Sequence, residues 1–183
     1  MDRHITHGRV LLDALPAGGR VLDLGSGGGL PGLVLATARP DLGLTLLEAR
    51  RRACRFLREA VADLGLTGVD VVEARAEEAA RRPDLRETFD AVVARSFGPP
   101  AVTAECAVGF LRPAGRLVVS EPPAEQGAAA TRWPPHRAAD LGFGAPVPGG
   151  GPGGSFVVLE KVGCDDRWPR RVGVPAKRPL WTS

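Results

Sequence analysis

The sequence predicts an α/β protein built on a doubly wound, mostly parallel β-sheet whose last strand runs antiparallel. Two observations predict this fold class: short apolar runs alternate with helical stretches along most of the chain, and the first apolar run ends in a glycine-rich turn. The 183 residues, 44% of them hydrophobic and 25% charged, suit one globular domain. We therefore predict a single domain over 1–183, with an N-terminal helical segment at 1–19, a core at 20–162 and a basic tail at 163–183.

Short apolar runs bounded by turn residues predict six strands. In chain order they lie at 20–24, 44–47, 69–72, 89–94, 116–120 and 156–160. The stretch 144–154 is so rich in glycine and proline that we expect mainly a loose connection there, with at most a few strand-like residues at 145–147. The tail beyond Val162 is expected to wrap the surface without regular structure.

Two helices are predicted with definite bounds, one at 6–15 ahead of the first strand and one at 50–64 after the second. At about 100° per residue, the second helix gathers apolar side chains on one face and arginines on the other. The apolar face comprises Ala53, Phe56, Leu57, Ala60, Val61 and Leu64, and the arginine stripe comprises Arg51, Arg55 and Arg58. We expect the apolar face to pack on the sheet, while the stripe is either solvated or turned toward phosphate.

The composition argues against several classes of protein. No apolar run reaches the roughly 18 residues of a transmembrane helix, and no apolar segment follows the first residues as in a secretory signal. We therefore expect a cytoplasmic protein. The three cysteines form no C-x-x-C pair, and His4 and His7 alone are too few ligands, so no metal site is expected. The net charge of +3 permits a nucleic-acid partner without requiring one.

A glycine-rich loop follows the first strand and reads Asp23-Leu24-Gly25-Ser26-Gly27-Gly28-Gly29. Glycines at a strand-to-helix turn permit positive φ and let a ligand approach the backbone closely. A dinucleotide site would need G-x-G-x-x-G, and Leu30 occupies the position of the last glycine. The acid at Asp23 instead suits a ligand with a cationic amino group, such as S-adenosylmethionine.

A second acid, Glu48, ends the second strand 25 residues after Asp23. A carboxylate at that point accepts hydrogen bonds from the hydroxyls of an adenosine ribose. The loop and Glu48 together predict S-adenosylmethionine as cofactor and a class I S-adenosylmethionine-dependent methyltransferase fold. A purely structural turn and an NAD site are the alternatives.

The end of the fourth strand indicates which atom receives the methyl group. Amino-directed enzymes carry Asp/Asn-Pro-Pro-aromatic there, whereas this chain has Ala94-Arg95-Ser96-Phe97, and its Glu121-Pro122-Pro123 follows the fifth strand. No cysteine follows a proline, as the nucleophile of a pyrimidine carbon-5 enzyme would. An acceptor that is nucleophilic without a base remains, such as guanine N7, for which the enzyme supplies mainly proximity and alignment.

Several further segments match one family. They are Asp2-Arg3-His4-Ile5, residues 21–32, Thr45-Leu46-Leu47-Glu48, Arg52 through Phe56-Leu57, Arg75-Ala76-Glu77-Glu78, Ala94-Arg95-Ser96 and the tail 168–180. On these residues the sequence resembles the RsmG (GidB) family, which methylates N7 of a guanine in bacterial 16S rRNA. The sequence departs from the family at two places. Relatives carry further helices ahead of the Arg-His segment, so we expect an N-terminally short variant, and many place lysine beside glycine where this chain has Glu121.

The resemblance implies roles for individual residues. Gly25 and Leu30 would line the cofactor, Ala76 and Glu77 would flank the adenine, and Arg95 would lie beside the cofactor and the target base as the catalytic residue. With the loop residues, the predicted cofactor set is Asp23, Gly25, Ser26, Gly27, Gly29, Leu30, Glu48, Ala76, Glu77 and Arg95. The resemblance also implies 16S rRNA or the small ribosomal subunit as partner, and we expect a monomer.

The tail interleaves arginines and lysine with two tryptophans. Arginine for phosphate and indole for base stacking is the combination found in single-stranded RNA sites, so we predict RNA contacts by Arg170, Arg171, Lys177 and Arg178. Alternatively, Trp168 and Trp181 anchor the tail on the core. Two other functions stay open: a cofactor-binding relative that acts as a ribosome- or partner-binding module, and a methyltransferase for a small molecule.

Overall fold

A computed structural model describes residues 9–122, 131–163 and 165–182, and its centre is one seven-stranded sheet. The strands are β1 (Gly19–Leu24), β2 (Leu42–Glu48), β3 (Val69–Glu73), β4 (Phe89–Ala94), β5 (Leu111–Glu121), β6 (Val147–Gly151) and β7 (Gly154–Glu160). The helices are α1 (Gly32–Ala38), α2 (Arg51–Asp63), α3 (Ala76–Ala79), α4 (Pro100–Val108), α5 (Pro135–Asp140) and α6 (Val174–Lys177).

The strand order β3-β2-β1-β4-β5-β7-β6 confirms the predicted fold class. Strands β1 to β5 are parallel, and β7 pairs antiparallel with β5. The chain leaves β1 toward β2 and β3 and later returns to the other side of β1 with β4. Ligand clefts of doubly wound sheets form at such a reversal, outside the carboxyl ends of the strands.

The six predicted strands are all present, but the glycine-rich stretch was predicted wrongly. Residues 147–151 form β6, which pairs antiparallel with β7 as a hairpin. Proline and glycine are tolerated there because β6 is an edge strand, where one side of the backbone needs no partner. The ring of Phe156 lies over Gly149 so closely that a Cβ there would be 2.4 Å from it.

The helix after β2 is confirmed as α2, but the predicted apolar face is rotated. Cys54 and Leu57 are its buried side chains, whereas Phe56 is 50% and Leu64 56% exposed. The arginine stripe lies in solvent, where Arg58 faces Glu73 across 3.6 Å. The face against the sheet therefore includes Cys54, whose thiol donates to the carbonyl of Glu48 at 3.2 Å and which hydrophobic periodicity left out.

The N-terminal helix predicted at 6–15 is described only from residue 9 onward. Residues 9–10 are helical and a 3₁₀ turn follows at Leu11–Ala14, with Leu11 and Ala14 buried. Residues 1–8, including the matching segment Asp2-Arg3-His4-Ile5 and His7, lie outside the described residues, as does Cys164. Within the described ranges, no helix is long and apolar enough to cross a membrane.

The tail was predicted without regular structure, yet it contains α6 and packs on the core. Trp168 and Trp181 are 7% and 8% exposed and join the larger hydrophobic cluster. Arg81 donates to the carbonyl of Pro169, and Arg86 donates to the carbonyl of Trp168. Of the two interpretations of the tryptophans, the structure therefore supports anchoring.

Candidate cofactor and acceptor site

The glycine loop turns sharply at the carboxyl end of β1. Gly25, Gly27 and Gly29 have φ of 74°, 53° and 89°, which side-chain-bearing residues rarely adopt. The backbone N–H groups of Gly25 and Ser26 both donate to the carbonyl of Leu47, at 2.9 and 3.0 Å, and this ties the loop to β2. A Cβ built on Gly28 would meet nothing within 4 Å, so this face of the loop is open to a ligand.

Asp23 lies beneath the loop. It is 1% exposed, and its carboxylate accepts a hydrogen bond from the N–H of Gly32, at 3.1 Å, in the first turn of α1. Burial raises the pKa of Asp23 to about 7. The predicted contact of Asp23 with the cationic amino group of a ligand stays a prediction, because the hydrogen-bond donor observed at its carboxylate is the N–H of Gly32.

The other predicted loop residues have distinct positions. Ser26 is buried and its hydroxyl donates to the carbonyl of Asp23 at 3.0 Å, so it braces the turn. Gly29 donates to the carbonyl of Ser26 at 2.7 Å, and a Cβ on it would collide with Leu33. Leu30 lines the cavity above the loop.

Glu48 holds the loop from the end of β2. Its carboxylate accepts hydrogen bonds from the N–H of Gly27 at 2.9 Å, from the N–H of Arg50 at 2.8 Å and from Arg50 Nε at 3.1 Å. Burial opposes ionisation, but the bonds from Arg50 and Gly27 outweigh it, so the pKa of Glu48 lies below its usual range. The carboxylate therefore favours its ionised form, and of its roughly four acceptor positions about one is left for a hydroxyl donor.

A cavity of about 370 Å³, here the β2–β3 cavity, lies beside Glu48. Its lining comprises Gly25, Leu47, Glu48, Ala49, Arg50, Ala74, Arg75, Ala76, Glu77, Ser96, Phe97, Val102, Cys106 and Ala176. Ala76 and Glu77 thus line the same cavity as Glu48, and their contact with adenine stays a prediction. Glu77, however, accepts a hydrogen bond from the N–H of Gly173 at 2.9 Å, so it also holds the tail.

A second cavity of about 320 Å³, the loop cavity, lies over the glycine turn. It is lined by Gly25, Ser26, Gly27, Gly28, Leu30, Arg50, Arg95 and Ser96. Arg95 and Ser96 follow β4 directly, and Ser96 has a φ of 54°. Such a conformation in a residue other than glycine costs about 1–3 kcal/mol, and residues of this kind cluster at functional sites. The next residue, Phe97, lies against Gly25, where a Cβ would be 2.5 Å from its ring.

A third cavity of about 280 Å³, the β5 cavity, continues from Arg95 and Ser96 toward β5. Its walls include Phe97, Glu121, Arg132 and Trp133. Sequence reasoning set Glu121 aside because it follows the fifth strand, and it did not consider Arg132 or Trp133. The signal available in the sequence was the acid itself, because Glu121 ends β5 as Glu48 ends β2.

The four basic residues predicted to contact RNA divide into two groups. Arg170 donates to the carboxylate of Glu105 from Nε at 2.8 Å and from a terminal nitrogen at 2.6 Å, and its backbone N–H donates at 2.9 Å. Glu105 is 0% exposed, so Arg170 pairs with a buried acid, and the RNA contact proposed for it stays a prediction. Arg171, Lys177 and Arg178 are exposed.

Comparison with known proteins shows which family the chain belongs to. Residues 1–132 match the family model GidB, described as rRNA small subunit methyltransferase G. The chain belongs to this family. The resemblance stated from the sequence is thereby confirmed.

Among the described residues, no group of three or more histidine, cysteine or acidic side chains could hold a metal ion.

Curated relatives of the family share a large part of the chain. The ribosomal RNA small subunit methyltransferase G of Moorella thermoacetica is 36% identical over 97% of this chain and 77% of its own length. That of Rubrobacter xylanophilus is 41% identical over 93% and 69%. The relative from Sorangium cellulosum is 48% identical over 67% of this chain and 52% of its own length.

Solved structures agree with the fold. A SAM-dependent O-methyltransferase of Thermotoga maritima superimposes with a TM-score of 0.65 at 15% identity, covering 88% of this chain and 66% of its own. The S-adenosylmethionine-dependent methyltransferase SibL gives a TM-score of 0.65 at 24% identity, covering 84% and 54%. At these identities the likeness shows the class I methyltransferase fold alone.

Proposed function

We propose that this family member transfers a methyl group from S-adenosylmethionine to N7 of a guanine in 16S rRNA. The observation that carries the proposal is that Arg95 and Ser96 line both the loop cavity and the β5 cavity. A methyl donor over the glycine loop and a base beyond β4 would therefore meet at these two residues. The relatives' name supports small-subunit rRNA, in the free RNA or the assembled subunit, as the partner; the cytoplasm as compartment and a monomeric state stay predictions.

The residues around the loop fit this cofactor. Glu48 has a pKa below its usual range and already accepts three hydrogen bonds, which leaves an acceptor position for a ribose hydroxyl. The small side chains of Ala74 and Ala76 line the cavity beside it, where adenine would lie. The open face at Gly28 leaves room for the methionine part. When bound, S-adenosylmethionine supplies an electrophilic sulfonium methyl group.

The chemistry asks little of acid–base groups. Guanine N7 has an exposed lone pair, so accepting a methyl group there would require no proton transfer. The site agrees with this: Asp23 is buried under the loop, and Glu48 is engaged with Gly27 and Arg50. The protein then contributes in-line alignment of the two reactants.

Arg95 is the residue proposed to position the target nucleotide. Because the methylated guanine ring gains a positive charge, a guanidinium over its face would be repelled as the reaction proceeds. We therefore assign the Arg95 guanidinium to a phosphate of the substrate, for which its fork of N–H donors is suited. Exposed Arg171, Lys177 and Arg178 would extend this phosphate contact along the tail.

Methyl transfer from labelled S-adenosylmethionine tests the proposal. The protein is incubated with purified small ribosomal subunits and, separately, with naked 16S rRNA, and the digested nucleosides are separated. Label in 7-methylguanosine is the expected result. Cofactor binding without any label in RNA would overturn the proposal and leave a binding module or a small-molecule methyltransferase.

A further inference from the structure

The β5 cavity has a polar wall of its own, formed by Glu121, Arg132 and Trp133. It lies at the carboxyl ends of β4 and β5, and α4 closes one side through Pro100 and Thr103. Its most buried charge is Glu121, the last residue of β5, which is 6% exposed. A buried carboxylate in a cavity is costly unless donors satisfy it, so its partners define what the cavity can bind.

Among the described residues, each oxygen of the Glu121 carboxylate has one donor. Trp133 Nε1 donates to Oε1 at 3.1 Å, and Arg132 Nε donates to Oε2 at 2.7 Å. Trp133 is fully buried, and Trp181 of the tail donates from Nε1 to the carbonyl of Arg132 at 3.1 Å. A carboxylate has about four acceptor positions, so these two bonds hold Glu121 in place and leave acceptor capacity for a ligand.

Glu121 and Arg132 together present a hydrogen-bond acceptor beside a hydrogen-bond donor. Arg132 uses Nε for Glu121, its side chain is 34% exposed, and a guanidinium carries five N–H donors in all. The Watson–Crick edge of guanine has the complementary order, with the N1–H and N2 amino donors next to the O6 acceptor. Adenine presents a bare N1 acceptor at the centre of that edge, which a carboxylate repels.

We propose that the β5 cavity is the pocket for the target guanine and that Glu121, held by Arg132 and Trp133, accepts hydrogen bonds from its N1–H and N2 amino group. This proposal rests on the proposed function and names the residues that select the base. N7 lies on the other ring of the purine, away from the N1–N2 edge. A guanine with that edge on Glu121 therefore turns N7 back toward Arg95 and Ser96, where the loop cavity begins.

The test removes the N2 amino group from the substrate and the carboxylate from the protein, separately and together. The methylated guanosine is first located on the small-subunit rRNA. Two RNAs are then assembled by splinted ligation and reconstituted into subunits, one with guanosine and one with inosine at that position. Wild-type protein, Glu121→Gln and the control Glu160→Gln, whose carboxylate is exposed on β7 at the far end of the pairing with β5, are assayed on both.

Wild-type protein should lose about tenfold in kcat/KM on the inosine substrate, as loss of a base-edge hydrogen bond does. Glu121→Gln should lose about tenfold or more on guanosine and show little further loss on inosine, because the two changes remove the same contact. Its Kd for S-adenosylmethionine should stay within about twofold of wild type, and Glu160→Gln should match wild type throughout.

Equal rates of the wild type on guanosine and inosine would overturn the proposal, and this measurement needs no variant to fold. A full additional loss on inosine in Glu121→Gln would overturn it too, since the two groups would then act independently. Absence of label in guanosine with wild-type protein that binds the cofactor would overturn the proposed function itself, so the two failures are distinguishable.

Discussion

The ion pair between Arg170 and Glu105 predicts that replacing Arg170 destabilises the fold strongly. From its position in a basic tail alone, Arg170 would be assigned to RNA binding. Glu105 lies in α4 and is 0% exposed, and its carboxylate receives three hydrogen bonds from Arg170. Arg170→Ala removes two of them, so that within the described part of the chain the buried carboxylate keeps one donor, the backbone N–H of residue 170. The guanidinium also holds the carbonyl of Arg178 at 2.8 Å, so the tail loses one of its attachments.

Removing one partner of a buried ion pair costs about 3–5 kcal/mol. Because the Arg170 side chain is itself 27% exposed, solvent screens part of the interaction and we expect the lower end, about 3 kcal/mol. For a domain of this size that corresponds to a fall in melting temperature of about 6–12 °C. Changing both partners in Arg170→Ala/Glu105→Leu should recover much of the loss, because no buried charge remains.

Urea unfolding followed by tryptophan fluorescence measures the effect, since Trp168 and Trp181 lie in the docked tail. Arg171→Ala is the matched control: its side chain is exposed, and the free energy of unfolding should change by less than about 0.5 kcal/mol. Equal midpoints for Arg170→Ala and Arg171→Ala would refute the assignment of Arg170 to the protein interior.

Four further outcomes are expected. Glu48→Ala should weaken S-adenosylmethionine binding by about 1–3 kcal/mol in calorimetry; unchanged affinity would contradict its assignment to the ribose. Gly25→Ala should destabilise the fold by about 1–2 kcal/mol or more and abolish cofactor binding, because its φ is 74° and the new Cβ meets Phe97; wild-type affinity in this variant would show that the loop does not hold the ligand. Burial raises the pKa of Asp23 from 3.8 to about 7, so the folded protein binds this proton more tightly than the unfolded chain and stability from it is lost as the pH rises through that range. In Asp23→Asn, urea midpoints measured between pH 4 and 8 should lack this decline in stability. Parallel curves for wild type and variant would argue against a raised pKa of Asp23. Arg171→Ala should weaken RNA binding and lower the salt slope by about 1, whereas an unchanged slope would place the tail outside the RNA interface.

The parallel sheet and the cofactor loop were predictable because their signals are local. Buried parallel strands give uninterrupted apolar runs, and a strand followed by Asp23 and alternating glycines specifies both a turn and a charge. Glu48 followed from its place at the end of the next strand. The strand β6 was missed because glycine and proline carry no periodic signal, and only its pairing with β7 makes it a strand.

The tail and the β5 cavity were not predictable from local patterns because both depend on contacts between distant residues. Arg170 and Glu105 are 65 positions apart, and an arginine beside a tryptophan has the same local signal whether it binds RNA or a buried acid. Glu77 likewise fits the predicted adenine site but also receives the N–H of Gly173 from the tail. The sequence suggested the residues, and the tertiary fold decides their partners.

Chemical mapping of the methylated base tests the central claim most directly. N7-methylguanosine is cleaved selectively by borohydride reduction followed by aniline, so the RNA breaks at the modified position. After incubation of small ribosomal subunits with the protein and S-adenosylmethionine, the account predicts new cleavage at one guanosine that depends on the protein and on the cofactor. Methyl label incorporated into the RNA without any such cleavage would contradict N7 of guanine as the acceptor.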